Sequence, residues 1–434
     1  MAQIPVEAGG AVRRVAVGGI TWGKTFAAFR HRNYRLFFCG QLVSLVGTWL
    51  QMVAEGWLVY DLSNSEFTLG LIRFLHTLPF TILTLVGGAL ADRLDKRSVL
   101  IATQSAAMLL AIVLASLVAF GAVAIWHVAV IGFLLGTANA VDVPVRQSLV
   151  VDLVGKRDLM NGIALNSSMF NAARVVGPAL AGVLIGTVGV AGCFALNAAS
   201  FVAVLASYFL IRLPKKVAVP QRQSLRQATG EAFRHVGRDP VLRSLVGLIT
   251  VFSLFGWSYV VLMPVFARDV LGVGAGGFGL LMAANGAGAF CGAMALATLG
   301  DRFDRRRLVF LGAFGLAAML MVFTLSRNVW LSGSCLVLAG FFMIIFFATA
   351  NTTVQLRSPD ALRGRIMGIY MLAFVGLSPF GSLIAGALAR ATNAPVTVAA
   401  GAAICALAAA LTQRTAPPYQ PYPSSTPESS SPLP

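Results

Sequence analysis

Charged residues are scarce in this 434-residue sequence. Asp, Glu, Lys and Arg make up 11% of it and hydrophobic residues 57%, whereas an ordinary globular domain carries about 25% charged residues. A soluble fold cannot hide that much apolar surface, because a large share of any folded chain faces water. Apolar stretches of about 20 residues recur along the chain, and that length crosses a hydrocarbon core of about 30 Å. The sequence therefore predicts a polytopic membrane protein.

Several chemical signatures are missing as well. The five cysteines lie singly inside apolar stretches and the four histidines are scattered, so we expect no metal site and no cofactor. No glycine-rich loop is followed by Lys-Ser/Thr, and neither a Ser/His/Asp nor a His-Glu-x-x-His arrangement is present. The repeated filter loops of a channel are also absent. These absences argue against an ATP-driven pump, a membrane enzyme and a channel.

Twelve segments are continuously apolar rather than alternating, which predicts membrane-spanning helices. We place them at about 36–60, 67–91, 98–120, 124–149, 158–187, 190–212, 241–266, 275–300, 307–326, 329–356, 361–390 and 393–413. The predicted domains are an N-terminal segment at 1–35, a six-helix bundle at 36–212, a central loop at 213–240, a second bundle at 241–413 and a tail at 414–434. The tail is rich in Pro and Ser and is expected to be disordered.

The net charge of +17 has a topological explanation. The loops after the odd-numbered spans contain only Arg268, Arg327 and Arg390 as basic residues. The other basic residues outside the spans lie at the N-terminus, in the even-numbered loops or after the last span, as the positive-inside rule predicts for the cytoplasmic side. We therefore expect both termini in the cytoplasm of a bacterial inner membrane, and no nucleic-acid partner.

Two charged clusters interrupt the apolar pattern. LADRLDKR (90–97) aligns without a gap with LGDRFDRR (299–306), and their aspartates Asp92 and Asp301 are 209 residues apart. Each cluster lies in the short loop between the second and third span of its half. The chain thus contains an internal repeat of six spans, and two such halves around a central cavity are a transporter architecture.

Two segments carry a resemblance to a known family. GALADRLDKR (88–97) matches the loop motif G-x-x-x-D-R-x-G-R-K/R except at Asp95, where a glycine is usual. ARVVGPALAG (173–182) matches the exporter motif G-x-x-x-G-P-x-x-G-G with alanine at the first and ninth positions. Over about residues 30–413 the chain resembles the major facilitator superfamily, and within it the exporters related to the enterobactin exporter and macrolide efflux pumps. The resemblance implies an all-α membrane fold with twelve transmembrane helices in two pseudo-symmetric six-helix halves.

The resemblance also implies a cytoplasmic gate. In such transporters the loop aspartate contacts a helix of the opposite half and locks the outward-facing state. The predicted gating residues are Gly88, Asp92, Arg93, Arg97, Asp301 and Arg302, together with Asp142 and Arg146, which are one helical turn apart near the same face. The alternative is that these charges set the topology and end the helices, although an acidic residue such as Asp92 contributes little to topology.

Glu55 and Arg73 are ionisable residues inside predicted spans. At about 1.5 Å per residue, both lie about 9 Å below the outer surface. Such residues cost at least about 2.5–3.5 kcal/mol each at mid-helix and should face a cavity or each other. Glu55 is therefore either a proton-coupling carboxylate tuned by Arg73 or one partner of a static ion pair that braces the hairpin.

Other polar and aromatic residues in the spans are candidates for the lining of a substrate cavity. They are Gln51, Asn166, Asn171, Arg174, Trp257, Tyr259, Asn351 and Gln355. Helix packing is the alternative role for each of them. A cavity with few charges and many Phe and Met residues suits an amphipathic or lipophilic substrate. The exporter motif residues Gly177, Pro178 and Gly182 should kink or thin the fifth span and let helices approach closely.

We therefore predict a secondary transporter that acts as a monomer in the lipid bilayer. It exports a hydrophobic or amphipathic small molecule, such as a drug or siderophore, by alternating access coupled to protons. The direction comes from the family resemblance. A lysophospholipid flippase, a small-metabolite importer and a non-transporting membrane sensor remain as alternatives, although the central loop is too short for an obvious output domain.

Overall fold

The structure is a computed structural model that describes residues 26–91, 95–212, 225–360 and 362–419, without the side chains of 84–91, 156, 225–229 and 301. Thirteen α-helices account for most of these described residues. They are α1 (Arg32–Ser63), α2 (Glu66–Ala91), α3 (Lys96–Ala119), α4 (Ile125–Gly155), α5 (Arg157–Thr187), α6 (Gly189–Leu210), α7 (Leu225–Arg238), α8 (Pro240–Val270), α9 (Gly274–Leu299), α10 (Arg305–Leu325), α11 (Val329–Arg357), α12 (Arg363–Ala391) and α13 (Ala394–Thr415).

Within the described residues, eleven helices are long and apolar enough to cross a membrane. Helix α2, with 26 residues, has the length of a twelfth span. The remaining helix, α7, is short and lies between the halves. The predicted all-α fold with twelve transmembrane helices is confirmed, and we refer to α1–α6 as the first half and α8–α13 as the second half.

The turn between the fourth and fifth spans is shorter than predicted. Helix α4 continues to Gly155 instead of ending near residue 149, and α5 begins at Arg157. Gly155 has a φ of 68°, a conformation that glycine adopts without steric cost. The segment stays helical because Leu153 and Val154 are buried and because Asp152 pairs with Lys96 of α3 at 2.8 Å.

Two segments predicted to be irregular are partly ordered. Helix α7 lies inside the central loop, where it packs on α8 and α12 and buries Ala232 and Val236. At the C-terminus, α13 continues to Thr415, and the ring of Tyr419 lies 6.3 Å from that of Phe310. Residues 414–419 of the predicted tail thus belong to the described structure, whereas residues 1–25 and 420–434 lie outside it, and the disorder of the tail stays a prediction.

The two halves close against each other at one face of the bundle. We call the face where α1 begins and α13 ends the terminal face, and the opposite one the distal face. Helix α2 crosses α12, and α5 crosses α9. Among the described residues, α2 contacts the distal segment Ser378–Ala391 of α12, whereas the terminal segment Arg363–Met371 packs on α7, α8 and α11. The halves therefore separate toward the terminal face.

Glycines allow both crossings to be close. Gly70 of α2 lies against Gly386 of α12, and Gly279 of α9 lies against Gly182 of α5, so that a Cβ on any of them would overlap the facing backbone. Gly70 and Gly279 are 209 residues apart, which is the spacing of the repeat, so the two crossings are equivalent. Small residues let membrane helices pack where no hydrophobic driving force exists between them.

Helices α8 and α12 contain π turns at Phe252–Gly256, Phe266–Val270 and Leu372–Gly376. Such turns disturb the regular helical bonding and leave carbonyl groups free for other donors. Oγ1 of Thr81 in α2 donates to the Gly376 carbonyl at 2.9 Å, and Oγ of Ser253 donates to the Phe374 carbonyl at 2.9 Å. The π turn of α12 thus accepts one hydrogen bond from the first half, through Thr81, and one from the second half, through Ser253.

Candidate functional site

Glu55 of α1 contacts a histidine that the sequence analysis did not single out. Nδ1 of His76 in α2 lies 3.5 Å from Oε1 of Glu55, and Glu55 is only 8% exposed. Arg73, one turn before His76, is close enough to Glu55 to interact electrostatically. In the described part of the chain, however, no nitrogen of Arg73 lies within 4.0 Å of the carboxylate. The direct polar contact of Glu55 is therefore with His76.

A small cavity of about 60 Å³ borders this cluster where the two halves meet. Glu55 and Arg73 line it from the first half, and Pro264, Phe278 and Met282 line it from the second. This volume holds a few water molecules and is too small for a drug-sized ligand. Water in it would lie against both the carboxylate and the guanidinium.

Helix α4 supports the Glu55–His76 contact from behind. An ideal Cβ on Gly132 would lie 3.8 Å from Nδ1 of His76 and 3.9 Å from Oε1 of Glu55. One turn further, Gly136 packs so closely on the carbonyl of His76 that no side chain fits there. The position of His76 is thus fixed by backbone contact with α4.

A second polar cluster joins the two halves. Arg174 of α5 donates from Nη2 to Oδ1 of Asn285 in α9 at 3.1 Å, and the same nitrogen lies 3.8 Å from Sδ of Met343 in α11. Nδ2 of Asn285 donates to the hydroxyl of Tyr259 in α8 at 3.1 Å and to the carbonyl of Leu336 at 3.3 Å. Within the described residues, Arg174 therefore contributes the only charge to this cluster. The other members of the cluster come from three helices of the second half.

The two clusters occupy equivalent positions of the repeat. His76 and Asn285 are 209 residues apart. Gly340 packs on the carbonyl of Asn285 as Gly136 packs on that of His76. At this position the first half therefore has an imidazole, which contacts a carboxylate, and the second half has an amide, which contacts a phenol. A carboxylate and an imidazole can each accept a proton, whereas an amide cannot, so the two places differ in their capacity to bind protons.

Trp257 of α8 lies next to the second cluster. Its ring stacks on Phe347 with the centroids 6.1 Å apart and lies 6.4 Å from that of Phe374. Phe347 follows Met343 by one helical turn of α11, in the direction of the terminal face. An aromatic surface therefore lies beside the Arg174 contact.

Gln51, Asn171, Asn351 and Gln355, which were also predicted to line the cavity, form hydrogen bonds within their own halves. Gln51 is buried, and its Oε1 accepts a hydrogen bond from Asn197 of α6 at 2.5 Å. Asn171 donates to the Ser167 carbonyl of its own helix at 2.9 Å. Gln355 donates to Asn351 at 2.6 Å. Asn166 is half-buried in the terminal part of α5. Gln51 thus packs inside the first bundle, apart from Arg174 and Trp257.

The exporter motif lies at two helix contacts of α5. Gly177 packs on α1, where a Cβ would lie 2.9 Å from the carbonyl oxygen of Val46. Gly182 and the carbonyl of Pro178 face Gly279 of α9. The motif therefore forms one side of the distal crossing between the halves.

Pro178 does not break α5. In the stretch 125–187 the residue with non-helical dihedral angles is Gly155, so α5 stays helical through Gly177-Pro178. Because proline has no N–H, the carbonyl of Arg174 lacks its usual donor, and this carbonyl faces Gly286 of α9. The proline thus leaves the helix intact while freeing one carbonyl at the interface.

The charged loop clusters cap helices in both halves. Asp95 is the N-cap of α3 and accepts from the backbone N–H of Ser98 at 3.0 Å, and Asp304, 209 residues later, caps α10 through the N–H of Arg307 at 3.1 Å. Asp95 has a φ of −64°, so this position does not require the glycine of the family motif. Hydrogen bonds from the Ser98 hydroxyl and N–H hold the pKa of Asp95 below its usual range.

Arg97 and Arg306 are likewise equivalent and act at helix C-termini. Nη2 of Arg97 donates to the Phe209 carbonyl of α6 at 2.9 Å, and Nη2 of Arg306 donates to the Gln413 carbonyl of α13 at 2.5 Å. A cation near the last carbonyls of a helix satisfies them and complements the helix dipole. Both contacts stay within one half.

The other predicted gate residues are only partly described. Asp92 and Arg93 lie outside the described residues, as do the surroundings of Gly88 and the side chain of Asp301, and Arg302 is exposed.

Asp142 and Arg146 do lie together. Asp142 is buried and accepts from Nε2 of Gln104 at 2.8 Å and from Oγ1 of Thr103 at 3.1 Å. Nε of Arg146 lies 3.4 Å from its carboxylate. These contacts join α3 to α4 inside the first half.

Comparison with known proteins decides the family. A family model described as a transmembrane secretion effector matches residues 23–431, which include both crossings and both polar clusters. The chain belongs to the transmembrane secretion effector family. The family and its relatives are membrane transporters of the major facilitator superfamily, so this member is a multi-pass transporter of a small molecule and not an enzyme.

Three relatives of this family member cover most of its length. The staphyloferrin A transporter of Staphylococcus aureus is 27% identical over 81% of this chain and 88% of its own length. The multidrug efflux pump Tap of Mycolicibacterium fortuitum is 26% identical over 83% and 90%. The enterobactin exporter EntS of Citrobacter koseri is 28% identical over 82% and 85%.

Solved structures share the fold of this family member. An inward-facing, unoccupied bacterial homologue of the human lysosomal transporter Spinster has a TM-score of 0.66 at 15% identity and covers 92% of this chain and 98% of its own. An inward-facing bacterial homologue of the iron transporter ferroportin has a TM-score of 0.67 at 15% identity and covers 88% and 97%. At such identities the likeness shows the fold alone.

His76 is the residue of this site that the sequence analysis missed. Two signals could have found it. It follows Arg73 by three residues, and residues three apart share one face of a helix. It is also the repeat equivalent of Asn285, an uncommon polar residue inside a span.

Proposed function

We propose that this transporter exports an amphipathic small molecule in exchange for protons. It would act as a monomer in the bacterial inner membrane, with the terminal face in the cytoplasm. The distribution of Lys and Arg supports this orientation. The names of the relatives, which include a siderophore transporter, a siderophore exporter and a multidrug efflux pump, support export of a drug-like or siderophore-like substrate.

The observation that carries proton coupling is the Glu55–His76 contact beside a cavity where the halves close. An ionised carboxylate is costly to enclose in a membrane protein, whereas a protonated one is not. A proton bound by Glu55 from the distal side would therefore favour closure of the distal face. Release of that proton would favour reopening, which links proton movement to alternating access.

Everted membrane vesicles test this proposal. Respiration acidifies their interior, a weak-base fluorescent dye reports the pH gradient, and a panel of lipophilic compounds is added one at a time. With the wild-type protein, a transported compound should draw protons out and restore dye fluorescence. Glu55→Gln should abolish this recovery, because its amide cannot release a proton, and His76→Gln should weaken it.

The matched control is Asp360→Asn, which neutralises an exposed carboxylate paired with Arg363 at the terminal face. It should retain the full recovery at the same amount of inserted protein. Equal recovery in Glu55→Gln would make the cluster a static brace. Absence of recovery with every compound in the folded wild type would contradict proton-coupled export and favour a lipid flippase or an uncoupled facilitator.

A further inference from the structure

Arg174 is an intramembrane cation that contacts no acidic side chain in the described part of the chain. Its contacts are the neutral Oδ1 of Asn285 and the Sδ of Met343. Within the residues that the structure describes, no carboxylate oxygen lies within 4.0 Å of its guanidinium. Intramembrane arginines normally pair with an acid or line a water-filled or ligand-filled space.

The other ionisable groups inside the spans do not supply the missing charge. Asp142 is paired with Arg146 at 3.4 Å. Glu55 contacts His76 and interacts electrostatically with Arg73. Each of these two carboxylates thus lies near an arginine of its own half. Among the described residues, Arg174 is therefore left as a positive charge without a nearby negative charge, at the contact between the halves.

The donors of Arg174 are not exhausted. Both of its contacts use Nη2, so the Nε–H and Nη1–H groups donate to no acceptor among the described residues. The amide nitrogen of Asn285 is already engaged by Tyr259 and by the Leu336 carbonyl, which fixes the Asn285 oxygen toward Arg174. The guanidinium is therefore held in place with donors left over, and a planar guanidinium matches the two oxygens of a carboxylate.

The half-buried aromatic rings of Trp257 and Phe374 lie near that charge, with their centroids 6.4 Å apart. Toward the distal face, the crossing of α5 with α9 is sealed by Gly182 and Gly279. Toward the terminal face the halves separate, and the stacked rings of Trp257 and Phe347 lie one helical turn from Met343. A molecule that enters from the terminal face would thus meet an aromatic surface first and the positive charge at the closed end.

We propose that the transported molecule is an amphipathic anion whose carboxylate or similar acidic group binds Arg174 and whose apolar body lies against the half-buried rings of Trp257 and Phe374. This inference rests on the proposed export function and specifies the substrate class. It also assigns different tasks to the two equivalent clusters. The cluster of Glu55 and His76 binds the proton, and the cluster of Arg174 and Asn285 binds the substrate anion.

Binding of two matched probes tests the inference. 1-Pyrenebutyrate and its amide share the same apolar body and differ by one negative charge. Energy transfer from the tryptophans to pyrene measures their affinity for the full-length protein in lipid nanodiscs. The wild type should bind the acid at least about tenfold more tightly than the amide, because a guanidinium binds a carboxylate more strongly than it binds a neutral amide; tenfold corresponds to about 1.4 kcal/mol.

Variants separate an anion site from a structural brace. Arg174→Gln retains a donor for Asn285 but removes the charge, so it should lower the affinity for the acid to that for the amide and leave the amide unaffected. Arg174→Lys should keep part of the preference. Arg390→Gln, which neutralises an exposed arginine of α12, should bind both probes as the wild type does.

Each alternative outcome counts against a specific claim. Failure of the acid to bind more tightly than the amide, at any affinity, overturns the anion site, and so does an equal loss of both probes in Arg174→Gln. A charge preference that depends on Arg174, combined with no export of any compound from vesicles, would leave the anion site intact and contradict the export function instead. Export of a compound by a protein that does not prefer the acid would support the export function and contradict the anion site.

Discussion

At the scale of single residues, the charges that interrupt the apolar sequence act mainly on helix ends. The repeat and the loop position of the two clusters could be predicted because they depend on sequence alone. Their partners could not, since Arg97 reaches a carbonyl 112 residues away. The equivalent contact of Arg306 with the carbonyl of Gln413 makes this capping a property of the repeat. The same charged side chains therefore both contribute to the membrane topology and cap helix ends.

Loss of the N-cap at Asp95 should destabilise the protein slightly. We expect Asp95→Ala to lower the free energy of unfolding by about 1 kcal/mol, because the first turn of α3 loses the acceptor that Asp95 supplies. Ser98→Ala, which keeps the backbone N–H, should cost less. Titration with SDS at neutral pH, followed by circular dichroism, measures both.

The pH dependence of this effect follows from the lowered pKa of Asp95. A carboxyl group whose pKa is lower in the folded state stabilises the fold above its unfolded pKa of about 3.9 and loses that contribution as the pH falls through the folded value. The difference between Asp95→Ala and wild type should therefore be constant from about pH 8 to pH 5 and shrink below about pH 4. A difference that persists in acid would show that the loss does not come from the ionised cap.

At the scale of helices, the sequence predicts where spans begin and end but not how they cross. Apolar length fixes a span, and the observed ends differ from the predicted ones mainly where buried residues extend a helix, as at Val154. The crossing of α5 with α9 depends on Gly182 meeting Gly279. Glycine is common throughout this chain, with 44 residues, so the sequence alone does not select the pair that meets.

A methyl group at Gly279 should open the distal face. A Cβ there would lie 2.6 Å from the Pro178 carbonyl oxygen and overlap the backbone of Gly182, and overpacking costs about 1–3 kcal/mol. We expect Gly279→Ala to speed the labelling of a cysteine at Val261, in the cavity wall, by about tenfold or more. The reagent is a membrane-impermeant maleimide added to intact cells.

Gly186→Ala provides the matched control for this experiment. It adds the same methyl group near the distal end of α5, where no atom lies within 4 Å of an ideal Cβ. Its labelling rate should equal that of the protein that carries only the cysteine at Val261. Equal rates for Gly279→Ala and for that protein would mean that the crossing does not limit access from the distal side.

At the scale of the whole molecule, a contact between equivalent residues of the repeat joins the two halves at the distal face. The Tyr60 hydroxyl donates to the Asp269 carboxylate, and the two residues are 209 positions apart, so they are repeat equivalents of α1 and α8. A contact between equivalent positions lies on the pseudo-twofold axis of the transporter. Arg268 reinforces it with its guanidinium carbon 5.4 Å from the centre of the Tyr60 ring and its Nη1 3.7 Å from the carboxylate of Asp61.

The sequence could not predict this distal contact, although it predicted the repeat. Arg268 was expected in a loop, but α8 continues to Val270 through a π turn. The turn places Arg268 and Asp269 on the side that meets α1. The candidate site shows the same limit, because Glu55, Arg73 and Arg174 could be recognised as intramembrane charges, whereas the pairing of Glu55 with His76 depends on how α1, α2 and α4 pack.

Removal of Arg268 should shift the whole transporter toward a state that is open at the distal face. An exposed ion pair is worth about 0.2–1 kcal/mol and a cation–π contact about 0.5–1 kcal/mol, so Arg268→Gln should change the ratio of the two states by about 3- to 30-fold. Pulsed electron paramagnetic resonance measures this with the native cysteines replaced. One spin-label pair is placed at the exposed distal residues Phe120 and Trp330 and another at the exposed terminal residues Met160 and Phe303.

In Arg268→Gln, the distal distance should gain a longer component while the terminal distance gains a shorter one, because rocking of two rigid halves moves both faces in opposite directions. Arg327→Gln is the control, since Arg327 donates to the nearby carbonyls of Thr324 and Ser326 in its own half. It should leave both distributions unchanged. A change at the distal face alone would indicate local fraying of α8, and no change at either face would show that the Arg268 contacts do not hold the halves together.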